Sequence, residues 1–131
     1  MAAHRIELRG PWDVEGGDAA TSLPSRVQLP ATWAEAFGDF SGPVRLRRRF
    51  HRPSNLLSTD LIRIVCVAPG QGATVTLNGQ ALGAFEAHVI ESAFEIASVL
   101  QQSNQLLLEL EPPESRNALF WRSLAIEIIS A

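Results

Sequence analysis

The dipeptide Asn78-Gly79 constrains the fold of this chain more than any other feature of its sequence. It separates two short runs in which apolar and polar residues alternate, and it suits the two positive φ angles of a type I′ turn. Because successive side chains of a strand point to opposite faces, Val75, Leu77 and Leu82 share one face. The stretch therefore predicts a hairpin of two antiparallel strands with one buried face.

Alternating or largely apolar runs recur along the chain, which indicates an all-β fold. They lie at residues 4–9, 44–53, 61–68, 105–111 and 119–129. With 46% hydrophobic and 19% charged residues, the composition is that of a folded globular protein. A chain of 131 residues suits one β-sandwich, since a domain of this size buries roughly 65–70% of its unfolded surface. We therefore predict a single domain, residues 1–131, built as an antiparallel β-sandwich of about eight strands.

Several short motifs follow one another from the hairpin onward. They are Val75-x-Leu-Asn78-Gly79, Leu82-Gly83, Phe94-Glu95-Ile96, Val99-Leu100 and Asn104-x-Leu106. In this order they resemble the N-terminal jelly-roll domain of family 2 glycoside hydrolases, such as β-galactosidases and β-glucuronidases. Further matches are the arginine-rich strand that ends near Phe50, the closing strand around Trp121 and, more weakly, the segment from Pro30 to Trp33. The resemblance implies a jelly roll of the galactose-binding-like type.

The acidic residues form no evident pair for glycoside hydrolysis. A retaining glycosidase needs two carboxylates about 5 Å apart, and an inverting one needs them at roughly 6.5–9.5 Å. Glu86, Glu91 and Glu95 cluster in sequence, but solvated surface acids are the plainer interpretation. The resembled family keeps its catalytic pair on a separate barrel, which this sequence lacks. We therefore predict that the chain is not an enzyme; a small stand-alone glycosidase, which would depend on Glu86 or Glu91, is a third alternative.

Trp121 and Arg48, which lie in predicted strands, are candidates for sugar binding. Sugar binding uses an aromatic face together with polar groups that bond hydroxyls. Alternation in the closing strand places Trp121 outside the core, so we predict it as an aromatic platform; the alternative is a tryptophan covered by a loop or a partner subunit. Arg48 falls in an inward register. Because burying a lone guanidinium is costly, Arg48 should be ion-paired or lie at the end of the sandwich.

The loop from Ala84 to Ser92 is where the sequence departs most from the resembled family, since it lacks the glycines usual there. In some enzymes of that family this loop lies close to the active site of the neighbouring barrel. Glu86 and His88 are our candidates in this loop for contact with a hydroxyl-rich ligand. Trp33 completes the predicted ligand-binding set, although core packing is the plainer interpretation for it.

Five arginines lie between Arg45 and Arg52, a density that could serve nucleic-acid binding. Strand alternation divides them between two faces, and the chain carries a net charge of −3. Pairing with glutamates on neighbouring strands is the plainer interpretation. We therefore predict no nucleic-acid partner.

Other features exclude rather than assign functions. The single cysteine, Cys66, lies in an apolar run that predicts a buried thiol and not a nucleophile. We see neither a signal peptide nor a membrane-spanning stretch, so we expect a cytoplasmic protein with no membrane partner. The histidines are scattered, and no cofactor or metal site is predicted. A structural calcium stays open, because similar folds sometimes carry one.

The predicted function is a non-catalytic carbohydrate-binding or accessory module, by analogy with the resembled domain. The alternative is a protein-interaction or assembly domain that forms a homodimer or docks on an enzyme through a sheet face, with no sugar affinity. Sugar binding requires a concave patch with Trp121, Arg48 or His88 accessible. Assembly requires a flat apolar sheet face.

Overall fold

Two antiparallel sheets lie face to face around a shared apolar interior. The structure, a computed structural model, describes residues 3–16, 26–38, 40, 42–67, 69–110, 117 and 119–130. The longer strands are β1 (Ala3–Glu7), β2 (Trp12–Gly16), β5 (Val44–His51), β6 (Leu61–Val67), β7 (Ala73–Leu77), β8 (Gln80–Phe85), β9 (Glu91–Glu95), β10 (Ser103–Leu110) and β12 (Ser123–Ile129). The short elements are β3 (Arg26–Val27), β4 (Ala31–Thr32), β11 (Leu119–Phe120) and the helix α1 (Trp33–Phe37).

The four-stranded sheet has the order β1-β12-β6-β9, and the six-stranded sheet has the order β3-β2-β5-β10-β7-β8. Strands β4 and β11 pair with each other. All of these pairings are antiparallel. The predicted all-β jelly-roll sandwich is thus confirmed, with more strands than the eight expected because several are only two residues long.

The predicted hairpin is formed by β7 and β8. Leu77 pairs with Gln80, which leaves a two-residue loop. In that loop Asn78 has φ 53° and Gly79 has φ 82°, the two positive angles that a type I′ turn requires. The turn matches the right-handed twist of the strands, so the predicted loop is confirmed. The register then shifts by one residue between Thr76, which pairs with Ala81, and Val75, which pairs with Gly83.

The apolar residues that alternate along the strands form the core, as predicted. In β10, Leu106, Leu108 and Leu110 are buried, whereas Glu109 is exposed. The six-stranded sheet contributes Val44, Leu46, Val75, Leu77, Leu106 and Leu108 to the interior, and the four-stranded sheet contributes Ile62, Ile64, Cys66, Leu124 and Ile126. Burying one such aliphatic side chain stabilises the fold by about 1.5–3 kcal/mol. The Cys66 thiol lies in this interior as predicted, and burial raises its pKa to about 12.

A helical turn, α1, follows β4 and is closed by Gly38. The Thr32 hydroxyl accepts a hydrogen bond from the Glu35 N–H at 3.1 Å, and the Glu35 carboxylate accepts one from the Thr32 N–H at 3.1 Å. This reciprocal capping box satisfies two amides that a helix start leaves without partners. The turn buries Trp33 completely, and its indole N–H donates to the Phe40 carbonyl.

The closing segment is not one continuous strand. Trp121 has φ 51°, which separates β11 from β12 and interrupts the period-two alternation. Its backbone N–H donates to the Pro69 carbonyl at 2.8 Å, and its indole packs edge-on against Phe85 with ring centroids 6.3 Å apart. Trp121 is only 1% exposed, so the prediction that it lies outside the core is wrong.

Candidate functional site

The outer face of the six-stranded sheet brings together polar residues from three strands that are distant in sequence. The register pairs Arg49 of β5 with Gln105 of β10. One row further along, Arg47 lies beside Leu107, which in turn pairs with Thr76 of β7. Because these positions alternate with the buried leucines, their side chains point away from the core.

These side chains line an open groove of about 510 Å³, which we call the β10 groove. Its described lining residues are Arg47, Arg49, Thr76, Asn78, Gly79, Gln101, Ser103, Asn104, Gln105 and Leu107. Guanidinium, amide and hydroxyl groups dominate this set, and none of these ten residues is acidic. The groove therefore offers hydrogen-bond donors and acceptors together with positive charge.

One end of the groove is closed by a hydrogen-bond network around Asn104, which is 2% exposed. Its Oδ1 accepts bonds from the Gln101 N–H at 2.7 Å and from Asn78 Nδ2 at 2.9 Å. Its Nδ2 donates to the Gln101 carbonyl at 2.8 Å. Asn78 in turn accepts from the Gln105 N–H at 2.9 Å and donates to the Val99 carbonyl at 2.9 Å. The network joins the hairpin turn to β10 and fixes the shape of the groove end.

The arginines of this face differ in their partners. Arg45 lies 3.6 Å from the Glu109 carboxylate, and Arg47 lies 2.8 Å from the Glu15 carboxylate. The predicted cross-strand pairing with glutamates is therefore confirmed for these two arginines. Arg49 is exposed and has no ion-pair or hydrogen-bond partner within the described ranges.

Arg48 has the inward register that alternation predicted, since it pairs with Leu106. Its Nε is buried and has no hydrogen-bond partner in the described part of the chain. The predicted ion pair is not found there. The row that contains Arg48 runs through Leu106 to Leu77 and Gln80, the pair that flanks the hairpin turn, which agrees with the alternative expectation of a place near the end of the sandwich.

The other predicted ligand-binding residues do not meet in one site. Trp33 and Trp121 are 0% and 1% exposed, so neither indole presents a face to solvent. Glu86 and His88 are both exposed in the connection between β8 and β9, and neither lines the β10 groove. Glu86 and His88 thus lie on the surface, and the β10 groove is lined by residues that were not predicted as ligand-binding.

A second charged cluster covers the outer face of the four-stranded sheet. Glu127 has a side chain only 6% exposed and accepts hydrogen bonds from Arg63 and from Arg5 Nε, the latter at 2.7 Å. Arg5 also lies 3.3 Å from Glu91. The hydrogen bonds from Arg63 and then Arg5 hold the pKa of the Glu127 carboxyl below its usual range, and Glu127 in turn raises the pKa of Arg5. These charged groups are therefore paired with one another.

The described part of the chain contains neither a metal-ligand cluster nor a membrane-spanning helix. No group of three or more His, Cys, Asp or Glu side chains there is placed to hold a metal ion. No helix in that part of the chain has the length and apolar character needed to cross a membrane. The expectation of no cofactor, with a structural calcium left open, stays a prediction.

Sequence reasoning missed the β10 groove because the groove depends on register. A usable signal was present, since the outward positions of three runs are polar at Arg47, Arg49, Thr76 and Gln105. Only the strand order β5-β10-β7 shows that these positions are neighbours.

Several solved structures contain a region with this fold. A Bifidobacterium dentium β-glucuronidase complexed with coumarin-3-O-glucuronide matches with a TM-score of 0.74 and 17% identity, over 98% of this chain and 30% of its own. A putative β-galactosidase from Bacteroides fragilis matches with a TM-score of 0.71 and 16% identity, over 98% of this chain and 23% of its own. A calcium-binding mutant of Bacteroides uniformis β-glucuronidase 2 matches with a TM-score of 0.73 and 17% identity, over 97% of this chain and 18% of its own. The resemblance to the jelly-roll domain of these glycosidases is confirmed.

At identities of 15–18%, these similarities establish the fold. The chain spans only 18–30% of the length of the glycosidases that it matches. No protein-family model and no curated protein matches the sequence.

Proposed function

We propose that this chain is a non-catalytic carbohydrate-binding module whose ligand lies in the β10 groove. The observation that supports this most is the groove itself, an open concavity of about 510 Å³ in the size range of small-ligand sites, which is roughly 300–1,000 Å³. Its amide, hydroxyl and guanidinium groups are those that bond the hydroxyls of a sugar. The proposed site therefore depends on polar groups and not on the predicted aromatic platform, since Trp121 is buried.

Two observations support a role without catalysis. Hydrolysis of a glycoside uses two carboxyl groups on either side of the scissile bond, and none of the described residues of the groove is Asp or Glu. Of the two acids named for a stand-alone glycosidase, Glu91 is engaged by Arg5 at 3.3 Å. Binding without turnover is therefore the better interpretation of the groove.

The direct test is titration with a panel of mono- and oligosaccharides, followed by calorimetry and by amide chemical shifts. Because the described indoles lie outside the groove, tryptophan fluorescence is a poor reporter here. We expect shifts confined to β5, β7 and β10, and a loss of affinity of about tenfold in Gln105→Ala, in line with removal of one or two hydrogen bonds.

Gln102→Ala is the matched control, because Gln102 is an exposed amide in the preceding turn that does not line the groove. It should bind like the wild type. Flat titrations at millimolar sugar for every member of the panel would overturn the proposal.

A specific observation favours assembly as a second candidate function. Ile90 is 85% exposed and its neighbour Val89 is 39% exposed, at the connection between β8 and β9. Two adjacent exposed aliphatic residues suit a protein contact. This differs from the flat apolar sheet face expected from the sequence, since charged and polar side chains dominate the described outer faces.

Sedimentation of the wild type and of Ile90→Asp tests this candidate. Assembly predicts a dimer at micromolar concentration that Ile90→Asp dissociates. A monomer at all concentrations, with or without Ile90→Asp, would rule out self-association through this loop.

A further inference from the structure

We infer that the ligand of the β10 groove is an acidic saccharide whose carboxylate pairs with Arg49. This rests on the proposed function and adds the chemical class of the sugar. The three outward arginines of β5 provide the evidence, because they share a strand and a face but differ in their partners.

Two of the three arginines are already neutralised by the protein. Arg45 pairs with Glu109 on β10, and Arg47 pairs with Glu15 on β2. Arg49 has Gln105 as its register partner, and a carboxamide cannot neutralise a guanidinium. Within the described ranges Arg49 therefore contributes the positive charge of the groove that has no carboxylate beside it.

The surroundings of Arg49 define what kind of anion fits. Apart from Arg47, which is paired with Glu15, the polar side chains that line the groove with Arg49 are uncharged; they include Ser103, Gln101 and Thr76. A planar guanidinium presents paired N–H donors that match a carboxylate, whereas the amides and hydroxyls match sugar hydroxyls. A sugar that carries a carboxylate supplies both partners in one molecule.

A nucleic acid fits these observations less well. Affinity for nucleic acids rises with the number of phosphates that are neutralised, and only one groove arginine is available without breaking an ion pair. Single-stranded binding also uses aromatic side chains on which bases stack, and none of the ten lining residues is aromatic. The experiment below therefore includes a single-stranded oligonucleotide as a competing ligand.

The experiment compares two trisaccharides of the same linkage, one of galacturonate and one of galactose, by calorimetry at low salt. We expect the acidic trisaccharide to bind about tenfold more tightly than the neutral one, as for one charge-assisted contact in an open site. In Arg49→Gln the two affinities should become equal, while the neutral trisaccharide still binds. Raising the salt concentration should weaken binding of the acidic trisaccharide alone.

Arg45→Gln is the matched control, because Arg45 lies on the same strand and face but is paired with Glu109 and does not line the groove. It should keep the preference for the acidic trisaccharide. Arg49 is exposed, so its substitution is not expected to disturb folding, which a melting curve would verify.

Each other outcome is decisive. Equal affinities in the wild type, or an equal loss in Arg45→Gln and Arg49→Gln, would overturn this inference and leave the proposed function standing. A failure of both trisaccharides and of the wider sugar panel would overturn both. Tighter binding of a single-stranded oligonucleotide than of the acidic trisaccharide, lost in Arg49→Gln, would also overturn the inference.

Discussion

Replacing Asn104 by alanine should destabilise the protein by about 2–4 kcal/mol. The Asn104 side chain is 2% exposed. It donates to the Gln101 carbonyl and accepts from the Gln101 N–H and from Asn78 Nδ2. A longer bond of 3.4 Å reaches the Phe50 carbonyl. Each hydrogen bond contributes about 0.5–1.5 kcal/mol net, and each polar group left buried without a partner costs about 1–3 kcal/mol. The Gln101 N–H is the group most affected, because Asn104 Oδ1 is its partner at 2.7 Å.

The assay is chemical denaturation together with calorimetric melting. A loss of about 3 kcal/mol lowers the melting temperature of a chain of this length by roughly 10 °C. Asn104→Asp keeps an acceptor for the Gln101 N–H but places a buried carboxylate oxygen against the Gln101 carbonyl, so at pH 7 it should cost at least as much as Asn104→Ala. Gln102→Ala, which removes an exposed amide from the same turn, should lie within about 0.5 kcal/mol of the wild type.

An Asn104→Ala protein within about 0.5 kcal/mol of the wild type would refute the reasoning. It would mean that the network contributes no net stability and that the groove end is held by packing alone.

Further predictions concern the core, the hairpin and the buried carboxylate. Trp121→Phe should cost about 1–2 kcal/mol in denaturation, through the lost indole volume and hydrogen bond, and leave sugar affinity in calorimetry unchanged. Gly79→Ala and Gly83→Ala should both lower the melting temperature, because both glycines have a positive φ. Gly83→Ala should lower it further, because a Cβ there also lies 2.7 Å from the Phe94 ring whereas a Cβ at Gly79 meets nothing within 4 Å. Glu127→Gln should be less stable than the wild type at pH 7. Because the folded-state pKa of Glu127 is lowered, this stability is present above the unfolded pKa of about 4.3 and is lost as pH falls through the folded pKa, so the difference in denaturation midpoint should shrink below about pH 4. A pH-independent difference would contradict this.

The fold could be predicted where the sequence carries a local signal. The Asn78-Gly79 turn has few alternatives, because both residues must adopt positive φ and this pair does so at little cost. Period-two alternation then placed the leucines of β10 correctly, since one slip in register would expose all of them.

The prediction failed for Trp121 because the break before β12 has no local signal. A positive φ is usually marked by Gly or Asn, but here a tryptophan adopts φ 51°, held by its bond to the Pro69 carbonyl and by its contact with Phe85. Tertiary packing therefore overrides the residue's own preference. Once alternation is interrupted, its extrapolation across the break assigns the indole to the wrong face.

The two outer faces differ in what an anionic ligand would have to displace. On the four-stranded sheet a ligand would have to displace Arg5 and Arg63 from Glu127, a carboxylate that is almost fully buried, and removing one partner of such a cluster is costly. On the six-stranded sheet Arg49 already faces solvent, so an incoming carboxylate replaces only water. This difference in desolvation cost supports the proposed site on the six-stranded sheet, where Arg49 has no carboxylate beside it within the described residues.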